Sequence, residues 1–362
     1  MSSFANAVRS VHVQTIHYLG RPHVAIPRRP VGGAAAWVAA DHRDEARWTH
    51  ALAAEEIAEA ERALRTSAAI ELRRLRAEDF PLPRLAPHVA AWRRELTSGR
   101  GFLRIRGVPT DRWSPDEVER FYWALGKHLG IPGAQNADGH LLGHVRDERL
   151  DADGRVRQYK TREAINYHCD AADVVGLLCL RPAKEGGRSR IASSVTVFDR
   201  LLGERPDLIP ALFEPTHVDT RGDGGVDSFC VRPCAFHAGR LRTFYHGEYF
   251  RTVTRYPGIP PLSEAKAALL DRYDALAASD ELHLEMELAP GDIQLISNHT
   301  IVHSRTGYVD HEDLAARRHL LRLWLSIEEP ASWTERALRA RAVTEVTARF
   351  VSRKLAARRS TA

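Results

Sequence analysis

The chain has 362 residues, 44% of them hydrophobic, enough to bury a substantial core in one large domain or two smaller ones. Its 52 basic and 47 acidic residues leave a net charge of +5 that is small and scattered, which argues against nucleic-acid binding. Four cysteines (Cys169, Cys179, Cys230, Cys234) are too few for a disulfide framework, and no uncharged apolar run reaches about 18 residues, so a soluble cytoplasmic protein with no membrane partner is expected.

Residues 1 to 94 read as an irregular arm followed by a helical extension, with helical pattern in THALAAEEIAEAERALRTS. The texture changes at residue 101, where GFLRIRGVP alternates as a short strand would. SPDEVERFYWALGKHLG is a helix by three signs: Ser114 at the N-cap, Pro115 at the first helical position, and Glu117 completing a capping box. Val118, Phe121, Leu125 and Leu129 line one face of it. From about residue 164 strands dominate: VVGLLCL, RIASSV, LHLEMELAPGDIQLIS with its Pro-Gly-Asp turn, and HLLRLWLS. Helical segments interrupt them at about 197 to 203 and at 263 to 278, the second opening at Ser263. Many strands with helices mainly at one end predict a barrel or jelly roll with appended helices, mainly β in class. The domain organisation expected is 1–94 as arm and helical extension packed on the core, 95–329 as the jelly roll, and 330–362 as a basic helix. Ser332 and Glu335 would cap that last helix, and its eight basic residues from Arg336 to Arg359 read as a solvated face. Cys230 and Cys234 lack the second pair that a structural zinc site needs.

The chemistry is sought among eighteen histidines. In a strand, residues i and i+2 point to one face, so His-x-Asp or His-x-Glu offers an imidazole and a carboxylate to a single ion. Six such pairs exist, beginning at His42, His168, His217, His246, His283 and His311, so the spacing alone decides nothing. A facial set of two histidines and one carboxylate suits a non-haem Fe(II) oxygenase and needs a third ligand from elsewhere. A dicarboxylate co-substrate such as 2-oxoglutarate further needs a fixed arginine. His168-Cys-Asp170 alone meets these demands in order: it precedes a strongly β-prone run, and far downstream PGDIQLISNHTIVHSRT supplies histidines at a strand exit, followed by arginines entering HLLRLWLS. His42 lies in a polar segment, His217 leads into a glycine-rich loop, and His311 sits in a polar connection. His246 and His283 lack neighbouring anion-binding elements.

These residues resemble the taurine/2,4-dichlorophenoxyacetate dioxygenase (TauD/TfdA) family of Fe(II)- and 2-oxoglutarate-dependent oxygenases, over about residues 98 to 328. The resemblance rests on GFLRIRGVP and its helix, on YHCDAADVVGLLCLRPAKEGGRSRIASS, and on PGDIQLISNHTIVHSRT followed by RRHLLRLWL. It implies a double-stranded β-helix core, with His168 and Asp170 as iron ligands. The third ligand follows an Asn by five positions, which maps Asn298 to His303, with His299 as its competitor. It also implies that Arg318, with Arg322 four positions later, and Ser189 of the EGGRSR turn hold 2-oxoglutarate, serine standing where the family has threonine. Arg317 ranks second because Leu321 lies four positions on, and Asn166 has no settled counterpart. Independently of the resemblance, Arg318, Leu320, Arg322 and Trp324 share a strand face, and two arginines aimed into a barrel would be costly without an anion to meet.

The implied reaction uses O2 to oxidise a C–H bond of a small molecule while 2-oxoglutarate becomes succinate and CO2. Asp170 argues against a halogenase, in which a small residue at that position leaves room for chloride. For the substrate, SFCVRPCAFHAGRLRTFYHGEYFRTVTRY concentrates Arg232, His237, Arg242, Tyr245, Tyr249, Phe250 and Arg251, suiting an anionic or aromatic molecule. Residues 140 to 165 are read as a lid. A homo-oligomer is compatible with the sequence. A zinc hydrolase or lyase using the same ligands, or a non-catalytic binding protein, would need neither Arg318 nor Ser189.

Overall fold

In the computed structural model of the chain, residues 21–136, 139–149, 158–221 and 227–327 are described, with a few isolated helical residues between 333 and 344. The Ser332/Glu335 cap, most of the basic C-terminal segment, the first twenty residues and the centre of the 140–165 segment lie outside the described residues.

Eleven strands build two sheets. The larger sheet contains β1 (Thr49–Ala51), β2 (Phe102–Arg106), β3 (Ile131–Pro132), β4 (Leu142–Val145), β6 (Val174–Arg181), β9 (Ile293–Ser297) and β11 (His319–Ser326). Its order is β1-β2-β9-β6-β11-β3, with β4 also paired to β11. The smaller sheet contains β5 (Ile165–His168), β7 (Ser189–Ser193), β8 (His283–Met286) and β10 (Ile301–Arg305), in the order β8-β7-β10-β5. Pairing is antiparallel throughout except between β1 and β2.

Period-two alternation explains how the layers stack. In β11, Leu321, Leu323 and Leu325 join Leu103, Ile105, Ile293 and Leu295 in one core, together with helices α1 (Ala54–Ser67), α2 (Ala86–Ser98) and α3 (Pro115–Leu129). The opposite face of the large sheet, through Phe102, Val175, Ile296 and Trp324, packs with Tyr167, Ile191 and Val302 of the small sheet in a second core. Helices α4 (Ser194–Glu204), α5 (Ile209–Phe213) and α7 (Glu264–Ala277) close that core from outside, and the short α6 (Gly247–Thr252) also contributes to it through Phe250. The result is the jelly roll read from the strand pattern, with both cores running through one sheet.

Local signals account for most boundaries. At the start of α3 the Ser114 hydroxyl accepts from the Glu117 N–H while the Glu117 carboxylate accepts from the Ser114 N–H (2.8 Å). Ser263 caps α7. Two segments differ from expectation. Thr49–Ala51 is not the start of a helix; it pairs in parallel with Arg104–Arg106, and α1 begins only at Ala54. The strand in RIASSV ends at Ser193, whose hydroxyl accepts from Thr196 N–H and starts α4 three residues earlier than the pattern indicates. In both, hydrogen-bond partners distant in sequence override the local pattern.

Candidate metal centre

His168 ends β5, and its direct cross-strand partner is His303 in β10. Antiparallel register therefore places the two imidazoles side by side, with ring centroids 4.2 Å apart. Asp170 lies two residues beyond His168, in the turn leaving the strand. Its two carboxylate oxygens stand 3.8 Å from His168 Nε2 and 3.8 Å from His303 Nε2. All three side chains are nearly buried, at 12%, 10% and 10% exposure. The donor set is two nitrogens and one oxygen, which suits iron.

The neighbours hold these groups in metal-binding form. His168 Nδ1–H donates to the Asn166 carbonyl (2.8 Å), leaving the Nε2 lone pair free, so Asn166 acts here through its backbone. Burial, reinforced by the His168 charge, pushes the His303 imidazole down to about 3, so it stays neutral at physiological pH. Burial would raise the Asp170 carboxyl, but Arg322, His303 and His168 outweigh it and hold the group below the usual carboxylate range. The Trp324 indole N–H donates to Asp170 Oδ2 (3.0 Å), and the backbone N–H of Asp170 donates to Asn298 Oδ1 (3.0 Å). Asn298 is wholly buried, so the residue that served as a sequence marker for His303 fixes the backbone of Asp170 instead. His299 is engaged elsewhere, with Nε2 2.7 Å from Asp173 Oδ1. Cys169 faces the core, its thiol donating to the Ile301 carbonyl (3.5 Å).

The two expected arginines occupy different positions. Arg322 is clamped beside the metal group: Nε donates to Gln135 Oε1 (2.7 Å), Nη1 lies 3.8 Å from Asp170 Oδ2, and the guanidinium lies over Tyr159 (4.6 Å) and Trp324 (5.0 Å). Arg318, four residues earlier and just before β11 begins, is buried at 6% exposure and lies over the Tyr308 ring at 5.1 Å. Its backbone N–H is taken by Asp310, but among the described residues its Nη1 has no partner and it forms no ion pair. Arg317 is turned toward the His311 carbonyl (3.1 Å).

A third arginine completes this corner. Arg305 follows His303 by two residues on β10, so it shares that face, and in register it opposes Ser189. Its guanidinium lies 4.9 Å from the centroid of the Tyr308 ring, and Nη2 donates to the carbonyls of Thr161 and Glu163. Nε and Nη1 remain unpartnered although buried. Burial and the Arg318 charge together lower Arg305 to about 10, while burial lowers Arg318. Ser189 donates its hydroxyl to Gln294 Oε1 (2.9 Å). The turn before it needs its glycines: Gly186 and Gly187 have φ of +74° and +69°, and a Cβ on Gly187 would come 3.0 Å from Arg318 Nε. Two buried cations with unpaired nitrogens are an unfinished electrostatic arrangement that one carboxylate would complete.

On the other side of His168, the ring of His246 lies at 5.0 Å and stacks on Tyr249 at 3.5 Å. Arg221 lies over Tyr249 (4.7 Å) and pairs with Glu248, which also accepts from Gln158 Nε2 (2.6 Å). Of the aromatic and basic residues singled out in 228–256, Tyr249 reaches this wall. Tyr245 and Arg251 instead bind Asp274, Arg232 binds the Phe213 carbonyl, and Phe250 belongs to the core. The sequence reading missed Arg305, Gln135 and Gln294, and set His246 aside. The i+2 relation of Arg305 to His303 was available as a signal; the pairings of the two glutamines, separated from their partners by 187 and 105 residues, were not.

A family model described as "Taurine catabolism dioxygenase TauD, TfdA family" matches residues 66–324. A curated relative, FR-33289 synthase of Streptomyces rubellomurinus, is 33% identical over 318 residues, covering 84% of this chain and 93% of the relative. Among solved structures, asparagine oxygenase in complex with Fe(II), 2S,3S-3-hydroxyasparagine and succinate is similar with a TM-score of 0.63 at 18% identity, covering 77% of this chain and 93% of that one. The non-heme iron oxygenase OrfP in complex with Fe and alpha-ketoglutaric acid is similar with a TM-score of 0.59 at 18% identity, covering 77% and 94%.

Proposed function

The chain belongs to the taurine catabolism dioxygenase TauD, TfdA family and is an Fe(II)- and 2-oxoglutarate-dependent oxygenase, and from that premise we propose which of its residues do the work. His168, Asp170 and His303 hold the iron. Arg318 and Ser189 take the far carboxylate of 2-oxoglutarate, with Arg305 as a second cation beside it. The observation that carries this reading is a pair of buried guanidinium groups with unpartnered nitrogens, Arg305 two residues after His303 on β10 and Arg318 just before β11.

When bound, the iron centre supplies the oxidising chemistry that couples conversion of 2-oxoglutarate to succinate and CO2 with hydroxylation of a substrate C–H bond. The protein's own part is binding and orientation. His168 is oriented by the Asn166 carbonyl at Nδ1, and His303, kept neutral by burial, presents a nitrogen lone pair without first losing a proton. Arg322 and Trp324, both facing Asp170, keep that carboxylate ionised and aimed; Arg322 is thereby a positioning residue rather than a second hold on the co-substrate. The Arg318 fork binds a carboxylate bidentately and sets the reach of the dicarboxylate toward the metal.

His246, Tyr249 and Arg221 form the substrate wall next to His168. They suit a small anionic, amino-acid-like or natural-product intermediate, and the hydroxylated amino acid and succinate held by the asparagine oxygenase support that class. No helix among the described residues is long and apolar enough to cross a membrane, and a cytoplasmic enzyme acting without nucleic acid is part of the same reading.

The test is a screen for substrate-stimulated succinate formation across amino acids, amines, sulfonates, aryloxyacids and natural-product intermediates. At least one class should raise succinate above the substrate-free rate. Hydrolysis of a substrate with zinc alone, with no 2-oxoglutarate consumed, would overturn the reading in favour of a metal-dependent hydrolase.

A further inference from the structure

Among the described residues one other group of side chains can hold a metal, and it shares no residue with the oxygenase centre: His50, Glu56 and His88. They come from three elements of the helical layer, His50 from the edge strand β1, Glu56 from the first turn of α1 and His88 from the first turn of α2. Their positions are set independently. His50 is registered by the parallel pairing of β1 with β2, opposite Ile105. Glu56 is held by a capping contact, its Oε2 accepting from the Ala53 N–H at 2.8 Å. Trp92, one turn after His88, packs against both imidazoles, with centroids 5.3 Å from His50 and 6.2 Å from His88.

The three side chains converge, with a hydrogen bond between His50 Nε2 and Glu56 Oε2 and one donor atom of each residue within 4.8 Å of the others. His50 Nε2 lies 3.0 Å from Glu56 Oε2, and His88 Nε2 lies 3.4 Å from Glu56 Oε1. Ligands about 2.0 to 2.1 Å from one zinc ion sit roughly 2.9 to 3.4 Å from each other at angles between square and tetrahedral. These separations are shorter than the 3.8 Å found between the ligands of the oxygenase centre. The two imidazoles lie 4.3 Å apart and both turn Nε2 toward the same carboxylate. The carboxylate is 8% exposed, His50 20% and His88 46%, so the site is closed at its base and open to water beside His88.

We propose that His50, Glu56 and His88 form a second, non-catalytic transition-metal site that takes zinc through two nitrogens and one oxygen, with solvent as the fourth ligand. Its consequence is structural: one ion would tie a three-residue edge strand to two helices, fastening the helical layer to the sheet.

The experiment is a titration of the chelator-stripped full-length chain with Co(II) and with Zn(II), followed by visible absorption and by bound-metal analysis. The wild type should bind two equivalents. A His168→Ala/His303→Ala variant should bind one, with the visible bands of a low-coordinate cobalt site, and added zinc should raise its melting temperature. His88→Ala, at a half-exposed position, should lose that equivalent or weaken it by more than about tenfold while the Fe(II)-loaded enzyme keeps its turnover. Glu56→Gln, which keeps the side chain's size, should do the same with an unchanged far-ultraviolet circular dichroism spectrum. If the His168→Ala/His303→Ala variant binds no metal, or if His88→Ala and Glu56→Gln bind zinc as tightly as their parent, the proposal is overturned.

Discussion

Replacing Arg318 by Met separates a co-substrate anchor from a structural arginine, because the two roles predict opposite signs for stability and binding. Arg318 is 6% exposed and, among the described residues, makes no ion pair and leaves Nη1 unpartnered. In the protein without 2-oxoglutarate its main favourable contact is the Tyr308 ring, worth about 0.5 to 2 kcal/mol, set against the cost of a buried, uncompensated charge. Arg318→Met should therefore leave the denaturant midpoint of the ligand-free protein unchanged or raised. Binding should suffer. Two charge-assisted hydrogen bonds to a carboxylate contribute roughly 1.5 to 3 kcal/mol each, so losing both should weaken 2-oxoglutarate by about two to four orders of magnitude. Anaerobic calorimetry of 2-oxoglutarate with the Fe(II)-loaded protein measures the second effect, and urea unfolding of the stripped protein measures the first. Arg318→Lys should fall between, keeping charge without the planar fork. An Arg318→Met protein that binds 2-oxoglutarate as the wild type does, yet unfolds at markedly lower urea, would refute the reasoning.

Three other outcomes follow from the same geometry. His303→Ala should abolish Fe(II) retention and succinate formation, whereas His299→Ala, which removes the contact to Asp173, should retain both; metal analysis after gel filtration decides. Trp324→Phe keeps the ring but removes the donor to Asp170, and Fe(II) affinity should fall by roughly 10- to 100-fold with the fold intact, read by competition with a chromophoric chelator. His319 is held down to about 4 by burial and by His144 and Arg181, while the unfolded chain protonates near 6.5. The unfolded state thus binds the proton first, so stability should drop as pH falls from about 6.5 to 4 and be fully recovered above that window. Because the ring is partly exposed the slope stays below about 1.4 kcal/mol per pH unit, and His319→Gln should flatten it in urea midpoints taken at pH 7 and pH 4.5.

What the sequence discloses depends on the range of the interaction that fixes it. The α3 cap is written in Ser114, Pro115 and Glu117 and appears as such, because all its partners lie within one turn. The alternation of HLLRLWLS is equally legible, since period two alone sends Arg318, Arg322 and Trp324 to one face and Leu321, Leu323 and Leu325 to the other. The strand character of Thr49–Ala51 is hidden because it exists only through pairing with Arg104–Arg106, some 55 residues on by the register of the two strands. The role of Asn298 is hidden for a similar reason: its amide meets the backbone of Asp170, 128 residues earlier. His50, Glu56 and His88 offer no motif at all, for their spacing matches neither a strand face nor a helix face and only the tertiary fold brings β1 and the starts of α1 and α2 together.

The two-faced character of β11 has a practical consequence for anyone altering this enzyme. Positions 318, 322 and 324 address the chemistry, and positions 321, 323 and 325 address the helical layer, although they interleave along one strand. A library that varies position 318 can therefore explore new co-substrate preferences while leaving the leucine face intact, whereas Trp324 also packs in the inner core. One that randomises the contiguous stretch would spend most of its diversity on clones that never fold, and would report them as inactive for the wrong reason.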